Sequence, residues 1–212
     1  MKNKLLLIYR KLHKEFGPRD WWPADTPFEV IVGAILTQNT AWTNVEKAIR
    51  NLKKAKCLNP KGLSELSNDR LAGLIRPAGY YNIKAKRLKN FLKVLQKEFG
   101  GSLKRLFKLP LKRLREKLLS INGIGPETAD SILLYAGKKP IFVIDAYTKR
   151  VLLRHGMIDD GATYEQMQAI FMKHLPRSVK LFNEYHALIV ELAKGYCRKR
   201  AHCTLCPLKG MK

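Results

Sequence analysis

The sequence predicts an all-α fold, and three features of the chain support this prediction. Apolar side chains recur at helical spacing in most of the long segments, beginning with residues 3–16. The longest apolar run, 28–40, exceeds the usual length of a strand and predicts a buried helix. The stretch 141–144 is too short and isolated for a convincing strand. With 212 residues and 46% hydrophobic content, the chain can bury a core as one domain or two small ones.

The predicted helices follow one another with short connections. The first covers 3–16 and has one basic face, and a loop with two adjacent tryptophans separates it from the buried helix. The helix 83–99 is amphipathic and basic, with Lys84 and Arg87 among its cations. The other helices are expected at 44–54, 62–76 (one or two short helices), 111–119, 126–136, 145–154, 163–174 and 178–195.

The charge of the chain indicates a polyanionic partner. Lysine and arginine total 41 against 17 aspartates and glutamates, which gives a net charge of +24. Nucleic acid is the first candidate partner and an acidic membrane surface the second. No segment approaches the roughly 18 apolar residues of a membrane span, and the first ten residues lack the apolar run of a signal peptide. We therefore expect a cytoplasmic protein, in which the four cysteines do not form disulfides.

Residues 119–130 predict a helix, a tight hairpin and a second helix. Gly123 and Gly125 flank Ile124, and glycine at these positions permits positive φ and the close approach of another backbone or a phosphate. Pro126 suits the first position of a helix, where a missing N–H costs little. The free N–H groups at a hairpin and helix start favour an anion. In so basic a chain, that anion is expected to be a nucleic-acid phosphate.

A single aspartate follows the hairpin. A Gly/Pro loop at 137–140 leads through the apolar run 141–144 to Asp145. A carboxylate at this position can stabilise a developing positive charge or deprotonate a water molecule. It can equally serve as the N-cap of the predicted helix 145–154. Both interpretations are open from the residues alone.

Aromatic and amide side chains in the first fifth of the chain are candidate ligand contacts. Trp21 and Trp22 lie in a loop, where they are either core anchors or a stacking surface for a base. Gln38 and Asn39 end the buried helix next to Trp42. They can hydrogen-bond a flat ligand, or they can simply cap the helix.

Three cysteines are clustered near the end of the chain, in the order Cys197-x5-Cys203-x2-Cys206. Thiolates at such spacing bind zinc or an iron–sulfur cluster, and both usually require four ligands. Cys57 is the fourth cysteine of the chain, and nothing in the sequence places it nearby.

These motifs together resemble one known family. The hairpin, followed by the Gly/Pro loop and Asp145, resembles the helix-hairpin-helix, Gly/Pro-rich loop and Asp signature of the endonuclease III superfamily of DNA glycosylases. The segment 36–38 resembles that family's segment whose glutamine enters the duplex, and 79–82 resembles its wedge loop. The cysteine tail resembles its iron–sulfur loop. Matches in the same order span about residues 28–206.

Within the superfamily, the chain most resembles the bacterial 3-methyladenine DNA glycosylase branch. The likeness rests on Trp21-Trp22-Pro23, on the segment 35–40 and on Gly123 to Glu127. The resemblance implies two helical domains with a cleft between them and Asp145 at its mouth. A six-helix barrel domain with the helix-hairpin-helix would span 27–135. Residues 1–26 plus 136–212 would form the second domain, which carries the cysteine loop.

The resemblance also implies roles for individual residues. A glycosylase flips the damaged nucleotide out of the duplex, because a base inside the stack is out of reach. Gln38 would fill the vacated gap, and Tyr80 would wedge the opposite strand, where the family usually has an aliphatic residue. Asp145 would be catalytic. The predicted DNA contacts are Gln38, Asn39, Tyr80, Asn82, Gly123 and Gly125, with the basic helices holding phosphates.

The chemistry and the substrate are expected from two further comparisons with the family. Its bifunctional members carry a lysine at the position of Glu127, and that lysine forms a Schiff base with the sugar. Glutamate cannot do so, which predicts a monofunctional enzyme without AP-lyase activity. The predicted base pocket consists of Trp21, Trp22, Pro23 and Trp42. Its electron-rich rings would favour cationic alkylated purines such as 3-methyladenine.

The expected partner is double-stranded DNA with damaged bases, bound by a monomer in the cytoplasm at the nucleoid. The family likeness implies a [4Fe-4S] cluster on Cys197, Cys203 and Cys206, although Lys212 stands where the fourth cysteine is expected. Two alternatives remain: an endonuclease III-like glycosylase for oxidised pyrimidines or mismatches, and a non-catalytic helix-hairpin-helix module that only binds DNA.

Overall fold

The structure is a computed structural model that describes residues 1–211; the expected fourth ligand position, Lys212, lies outside the described residues. Within 1–211 all regular secondary structure is helical, which confirms the predicted fold class. None of these helices is both long and apolar enough to cross a membrane. The α-helices are α1 (Lys2–Phe16), α2 (Pro27–Leu36), α3 (Trp42–Lys54), α4 (Pro60–Glu65), α5 (Asn68–Leu74), α6 (Tyr81–Phe99), α7 (Leu103–Phe107), α8 (Leu111–Leu119), α9 (Pro126–Ser131), α10 (Ala146–Arg154), α11 (Tyr164–His174) and α12 (Val179–Gly195).

Apart from small shifts at helix ends, the structure differs from the predicted helices in three places. Helix α2 ends at Leu36 rather than at residue 40, because the chain turns at Thr37 and Asn39 adopts a positive φ of 53°. Helix α7 was not predicted, since its 5 residues are too few to show a period. The predicted helix 126–136 is α9 followed by a single π-helical turn, Ile132–Ala136.

The chain divides into two compact units. Ala24–Gly137 form the first, here called the hairpin unit, which contains α2 to α9. Met1–Pro23 and the described residues from Lys138 onwards form the second, here called the aspartate unit, which contains α1 and α10 to α12.

Helix α2 is the central helix of the hairpin unit. Every residue from Phe28 to Leu36 is buried, and α3, α6, α9 and the π-helical turn pack around it. The helix begins where the sequence suggests, because the Thr26 side chain accepts a hydrogen bond from the backbone N–H of Glu29 and Pro27 occupies the first turn. Burial of each large apolar side chain contributes about 1.5–3 kcal/mol. The residues that follow α2 therefore start from a firmly held point.

An aromatic cluster forms the core of the aspartate unit. The rings of Phe142 and Phe171 stack with their centroids 3.7 Å apart, and Tyr185 meets Phe142 edge-on at 5.8 Å. The Tyr185 hydroxyl donates to the backbone carbonyl of Leu5, 2.8 Å away, and so ties α12 to α1. Phe142 lies three residues before Asp145, so this packing fixes the start of α10.

Candidate functional site

The α8–α9 hairpin uses its two glycines differently. Gly123 has a φ of +96°, and a Cβ there would collide with the side chain of Arg87. Gly125 has an extended φ of −90°, so the sequence-based expectation of a positive φ is wrong at this position. The space beside Gly125 is open, which leaves room for a ligand to approach the backbone closely.

A buried ion pair clamps the two hairpin helices together. Arg115 of α8 donates through Nε to Asp130 Oδ1 at 2.8 Å and through Nη2 to Oδ2 at 3.1 Å. The Asp130 side chain is fully buried, whereas that of Arg115 is 22% exposed. Bidentate geometry of this kind fixes both distance and orientation. The turn between the helices therefore sits on a rigid base.

Gln38 docks on the hairpin. Its Nε2 donates to the Gly123 carbonyl at 3.0 Å and to Thr128 Oγ1 at 2.9 Å, and Arg87 Nη1 donates to its Oε1. The sequence offered only a choice between ligand binding and helix capping for this glutamine. The structure instead connects it to the hairpin glycine 85 residues away.

Three predicted DNA contacts surround one cavity in the hairpin unit. Gln38, Asn39 and Tyr80 line a space of about 250 Å³, together with Ile83, Lys84 and Arg87. Tyr80 is 68% exposed. The cavity therefore brings together two loops that are about 40 residues apart in the chain.

The remaining predicted DNA contact of the wedge loop, Asn82, is exposed in the first turn of α6. Both non-glycine residues at the tips of the two loops, Asn39 and Tyr80, adopt left-handed conformations, with φ values of 53° and 46°. Such conformations cost free energy and persist where the surroundings enforce them.

Glu127 is exposed in the first turn of α9.

Asp145 is the N-cap of α10. Its Oδ1 accepts a hydrogen bond from the backbone N–H of Thr148 at 2.7 Å, and His186 Nε2 lies 3.5 Å from Oδ2. Burial by itself raises the pKa of the Asp145 carboxyl, but the charge interaction with His186 and the hydrogen bonds outweigh it, so the net pKa is lowered. The side chain is 14% exposed. Asp145 is therefore an ionised and still accessible carboxylate at neutral pH.

Sequence reasoning missed two buried residues, one in each unit. His186 is 5% exposed on α12, 41 residues beyond Asp145, and no local pattern connects the two. Lys84 was expected on the basic face of α6, but it is 1% exposed. The burial of Lys84 could have been predicted from the sequence, because Lys84 lies one helical turn before Leu88 in the buried stripe of that helix.

The predicted base-pocket residues are divided between the two units. Trp21, Trp22 and Pro23 belong to the aspartate unit, where the two indole rings lie 5.4 Å apart at an angle of 54°. Lys194 Nζ lies 5.9 Å from the centre of the Trp21 ring. Trp42 opens α3 in the hairpin unit, and its indole N–H donates to Glu46 Oε1 at 2.8 Å.

The three clustered cysteines share one cavity. Cys197, Cys203 and Cys206 line a space of about 300 Å³ beside His155. Burial and the neighbouring thiols raise the pKa of Cys206, despite a hydrogen bond from the Leu208 N–H that lowers it. Cys57 belongs to the hairpin unit, where its thiol donates to the Leu52 carbonyl.

The donor set does not fit a metal group within residues 1–211. No three cysteine, histidine, aspartate or glutamate side chains of that range are grouped so that they could hold a metal ion. Two arginines of α10 hold the loop instead: Arg150 Nε donates to the Cys197 carbonyl at 2.6 Å, and Arg154 Nη2 to the Lys199 carbonyl at 2.9 Å.

The chain is similar to a known protein family and to several named proteins. Residues 32–177 match the HhH-GPD superfamily of base excision DNA repair proteins. A Methanocaldococcus jannaschii protein with a provisional assignment as a DNA repair glycosylase is 51% identical over 214 residues, which cover 98% of this chain and 96% of that protein. Endonuclease III of Thermotoga maritima is 30% identical over 207 residues, covering 95% and 89%.

A solved structure extends the similarity to three dimensions. The H. pylori 3-methyladenine DNA glycosylase bound to 1,N6-ethenoadenine is 31% identical, with a TM-score of 0.76 over 90% of this chain and 97% of that chain. The chain therefore belongs to the HhH-GPD superfamily of base excision DNA repair proteins. It is a DNA glycosylase of that superfamily, which confirms the family likeness found in the sequence.

Proposed function

We propose that the protein is a monofunctional DNA N-glycosylase that hydrolyses the N-glycosidic bond of alkylated purines such as 3-methyladenine. The observation that carries this proposal is Asp145, a carboxylate of lowered pKa that keeps 14% of its side chain exposed. Cleavage of the bond builds positive charge on the sugar, and an ionised carboxylate stabilises that charge. Asp145 would also accept a proton from the water that attacks the sugar, leaving an abasic site.

The hairpin unit would hold the DNA. The open space beside Gly125 suits a phosphate oxygen at the start of α9. Gln38 would leave its hydrogen bonds to Gly123 and Thr128 and enter the gap left by the flipped nucleotide. Each such bond has a net value of only about 1 kcal/mol, so hydrogen bonds to DNA can replace them. Tyr80, with most of its side chain exposed, would wedge the opposite strand.

Glu127 supports hydrolysis without strand cleavage. A lyase of this superfamily needs an amine that attacks the sugar and forms a Schiff base. Glu127 supplies a carboxylate in the first turn of α9, which is unable to form that bond. Water is then the nucleophile.

The aromatic residues favour an alkylated purine. Alkylation at ring nitrogens makes the base cationic and weakens its glycosidic bond, so that little acid catalysis is needed. Stacking of a cation on an indole contributes about 0.5–2 kcal/mol per face. Trp21, Trp22, Pro23 and Trp42 are the proposed lining of the base pocket. The similarity to a glycosylase named for 3-methyladenine supports this choice.

A second candidate is an endonuclease III-like glycosylase for oxidised pyrimidines or mismatches. The 30% identity to endonuclease III of Thermotoga maritima over nearly the whole chain favours it. This alternative shares the fold, Asp145 and the hairpin with the first, and it differs in the base that the pocket accepts.

Release of free bases from defined duplexes tests the proposal. The substrates are duplexes of one sequence that carry 3-methyladenine, 7-methylguanine, thymine glycol, uracil or a mismatch at the same position. The released bases are separated by chromatography. We expect release of the methylated purines and no covalent adduct on reduction with borohydride. Release of thymine glycol alone would favour the second candidate, and an adduct would exclude the monofunctional mechanism. Binding without any release would favour a non-catalytic module.

The cofactor and the cellular setting stay predictions. A [4Fe-4S] cluster, with zinc as the alternative, is proposed from the cysteine spacing and the family likeness alone, because no three possible ligand side chains within residues 1–211 are grouped to hold a metal ion. Iron, sulfide and zinc contents of anaerobically purified protein decide between them.

We propose a monomer that acts on nucleoid DNA in the cytoplasm.

A further inference from the structure

We propose that Lys84 is a positioning residue that holds the two DNA-inserting loops of the hairpin unit in register. The inference rests on the proposed function in one respect, that Gln38 and Tyr80 enter the duplex. Nothing in the sequence or the family likeness assigned Lys84 a role beyond that of a basic helix face.

The contacts of Lys84 point to both loops at once. Its Nζ donates to the Leu36 carbonyl at 2.9 Å and to the Ala78 carbonyl at 2.7 Å. Leu36 is the last residue of α2, two positions before Gln38. Ala78 ends a 3₁₀ turn, Arg76–Ala78, and lies two positions before Tyr80. The Lys84 ammonium group therefore binds the backbone two residues before each side chain that is proposed to enter the DNA.

The burial of Lys84 makes this arrangement firm. The side chain is 1% exposed, and a buried ammonium is costly unless hydrogen bonds compensate it. The last carbonyls of a helix lack partners within the helix and carry partial negative charge, so the end of α2 is a favourable acceptor. Burial, together with the nearby Arg87, lowers the pKa of Lys84 to about 8. Displacement of either loop would leave a buried donor without its acceptor.

Helix α6 also holds the side chain of Gln38 in place. Arg87, one turn beyond Lys84 in α6, donates to Gln38 Oε1. Lys84, Arg87, Gln38 and Tyr80 all line the cavity of about 250 Å³ between the two loops. The two loop tips have left-handed backbones at Asn39 and Tyr80, a conformation that the surrounding contacts must enforce. Lys84 hydrogen-bonds to the backbone in front of both loops.

The experiment separates loop positioning from general stability. Duplexes carry a lesion next to 2-aminopurine, whose fluorescence rises when its neighbours unstack. Lys84→Met removes the donors, Lys84→Gln is shorter and neutral but keeps N–H donors, and Lys61→Met removes an equal charge from an exposed site. Thermal unfolding of each variant and binding to undamaged duplex are measured alongside.

We expect Lys84→Met to lose at least about 10-fold in single-turnover base release and most of the fluorescence rise. Binding to undamaged duplex, which depends on phosphate contacts, should change by less than about 2-fold. Lys84→Gln should recover part of both losses, and Lys61→Met should behave as wild type. An unchanged fluorescence rise in Lys84→Met would overturn the inference. So would an equal loss of undamaged-duplex binding.

A double-mutant cycle keeps the inference testable if Lys84→Met folds poorly. Lys84→Gln is combined with Gln38→Ala, and base release is compared with each single variant. If Lys84 acts through the Gln38 loop, the two effects are less than additive; full additivity would contradict the inference. A wild-type protein that binds lesion duplex with no fluorescence rise would instead refute the insertion step of the proposed function.

Discussion

Asp145 in the aspartate unit and Lys84 in the hairpin unit are both charged side chains removed from most of the solvent, yet their partners differ. Asp145 accepts one backbone hydrogen bond, lies 3.5 Å from His186 and keeps 14% of its side chain exposed. Lys84 is 1% exposed and donates to two backbone carbonyls. Each environment lowers the pKa of its group, which stabilises the charged aspartate but disfavours the charged lysine.

The difference matches the roles that we propose for the two groups, a reacting carboxylate and a positioning cation. A reacting carboxylate must stay charged and reachable, so its partners must leave part of it open. A positioning cation is most effective when backbone acceptors use its donors and water is excluded.

Asp145→Asn should lower base release at least about 100-fold, since removal of a general base or a charge stabiliser typically costs that much. Asparagine is itself a good N-cap, so α10 should persist. Single-turnover assays measure the rate, and a filter-binding assay should give an unchanged dissociation constant. The exposed Asp159→Asn is the control, with wild-type activity expected. Residual activity within 10-fold of wild type would remove Asp145 from the chemistry.

Arg115→Met should lower the free energy of unfolding by about 3 kcal/mol, because it deprives the fully buried Asp130 of its bidentate guanidinium. Arg113→Met is the matched control on the same helix. Its ion pair with Glu116 spans 3.8 Å at an exposed site and should contribute less than about 0.5 kcal/mol. Urea denaturation measures both. Equal losses of unfolding free energy in the two variants would show that the Arg115–Asp130 ion pair stabilises the protein no more than an exposed ion pair does.

Trp42→Ala should weaken binding of a cationic alkylated purine by about 2- to 30-fold, the range expected for one lost stacking face. Trp42→Phe keeps a ring but loses the hydrogen bond to Glu46, so it separates stacking from that bond. Competition by 3,9-dimethyladeninium, a permanent cation, against lesion duplex gives the affinities. Unchanged affinity in Trp42→Ala would exclude this residue from the base pocket.

His186→Gln should move the acidic limb of the pH–rate profile to higher pH, because the interaction with His186 lowers the pKa of Asp145. Ionised Asp145 also stabilises the folded protein above about pH 4, and this contribution is lost as pH falls through the lower folded pKa. Base release and urea denaturation across pH 3–8 measure both effects. His174→Gln, whose imidazole contacts its own helix, should leave the limb in place. An unmoved limb in His186→Gln would contradict the proposed coupling.

Local chemistry determined much of this protein in advance. The helices follow from apolar spacing, the start of α2 from Thr26 and Pro27, and the N-cap of α10 from Asp145. The hairpin was recognisable because glycine and proline constrain the backbone within a few residues. The family likeness rests on the same short motifs and their order.

Tertiary structure alone decided the partners of the charged and amide side chains. Gln38 meets Gly123, Lys84 meets Leu36, and His186 meets Asp145 across separations of 85, 48 and 41 residues. Each pairing depends on how whole helices pack, and no residue signals its distant partner through its own neighbours. The burial of Lys84 shows the difference, since the helical period gives its face but only packing supplies two carbonyls at the end of its side chain.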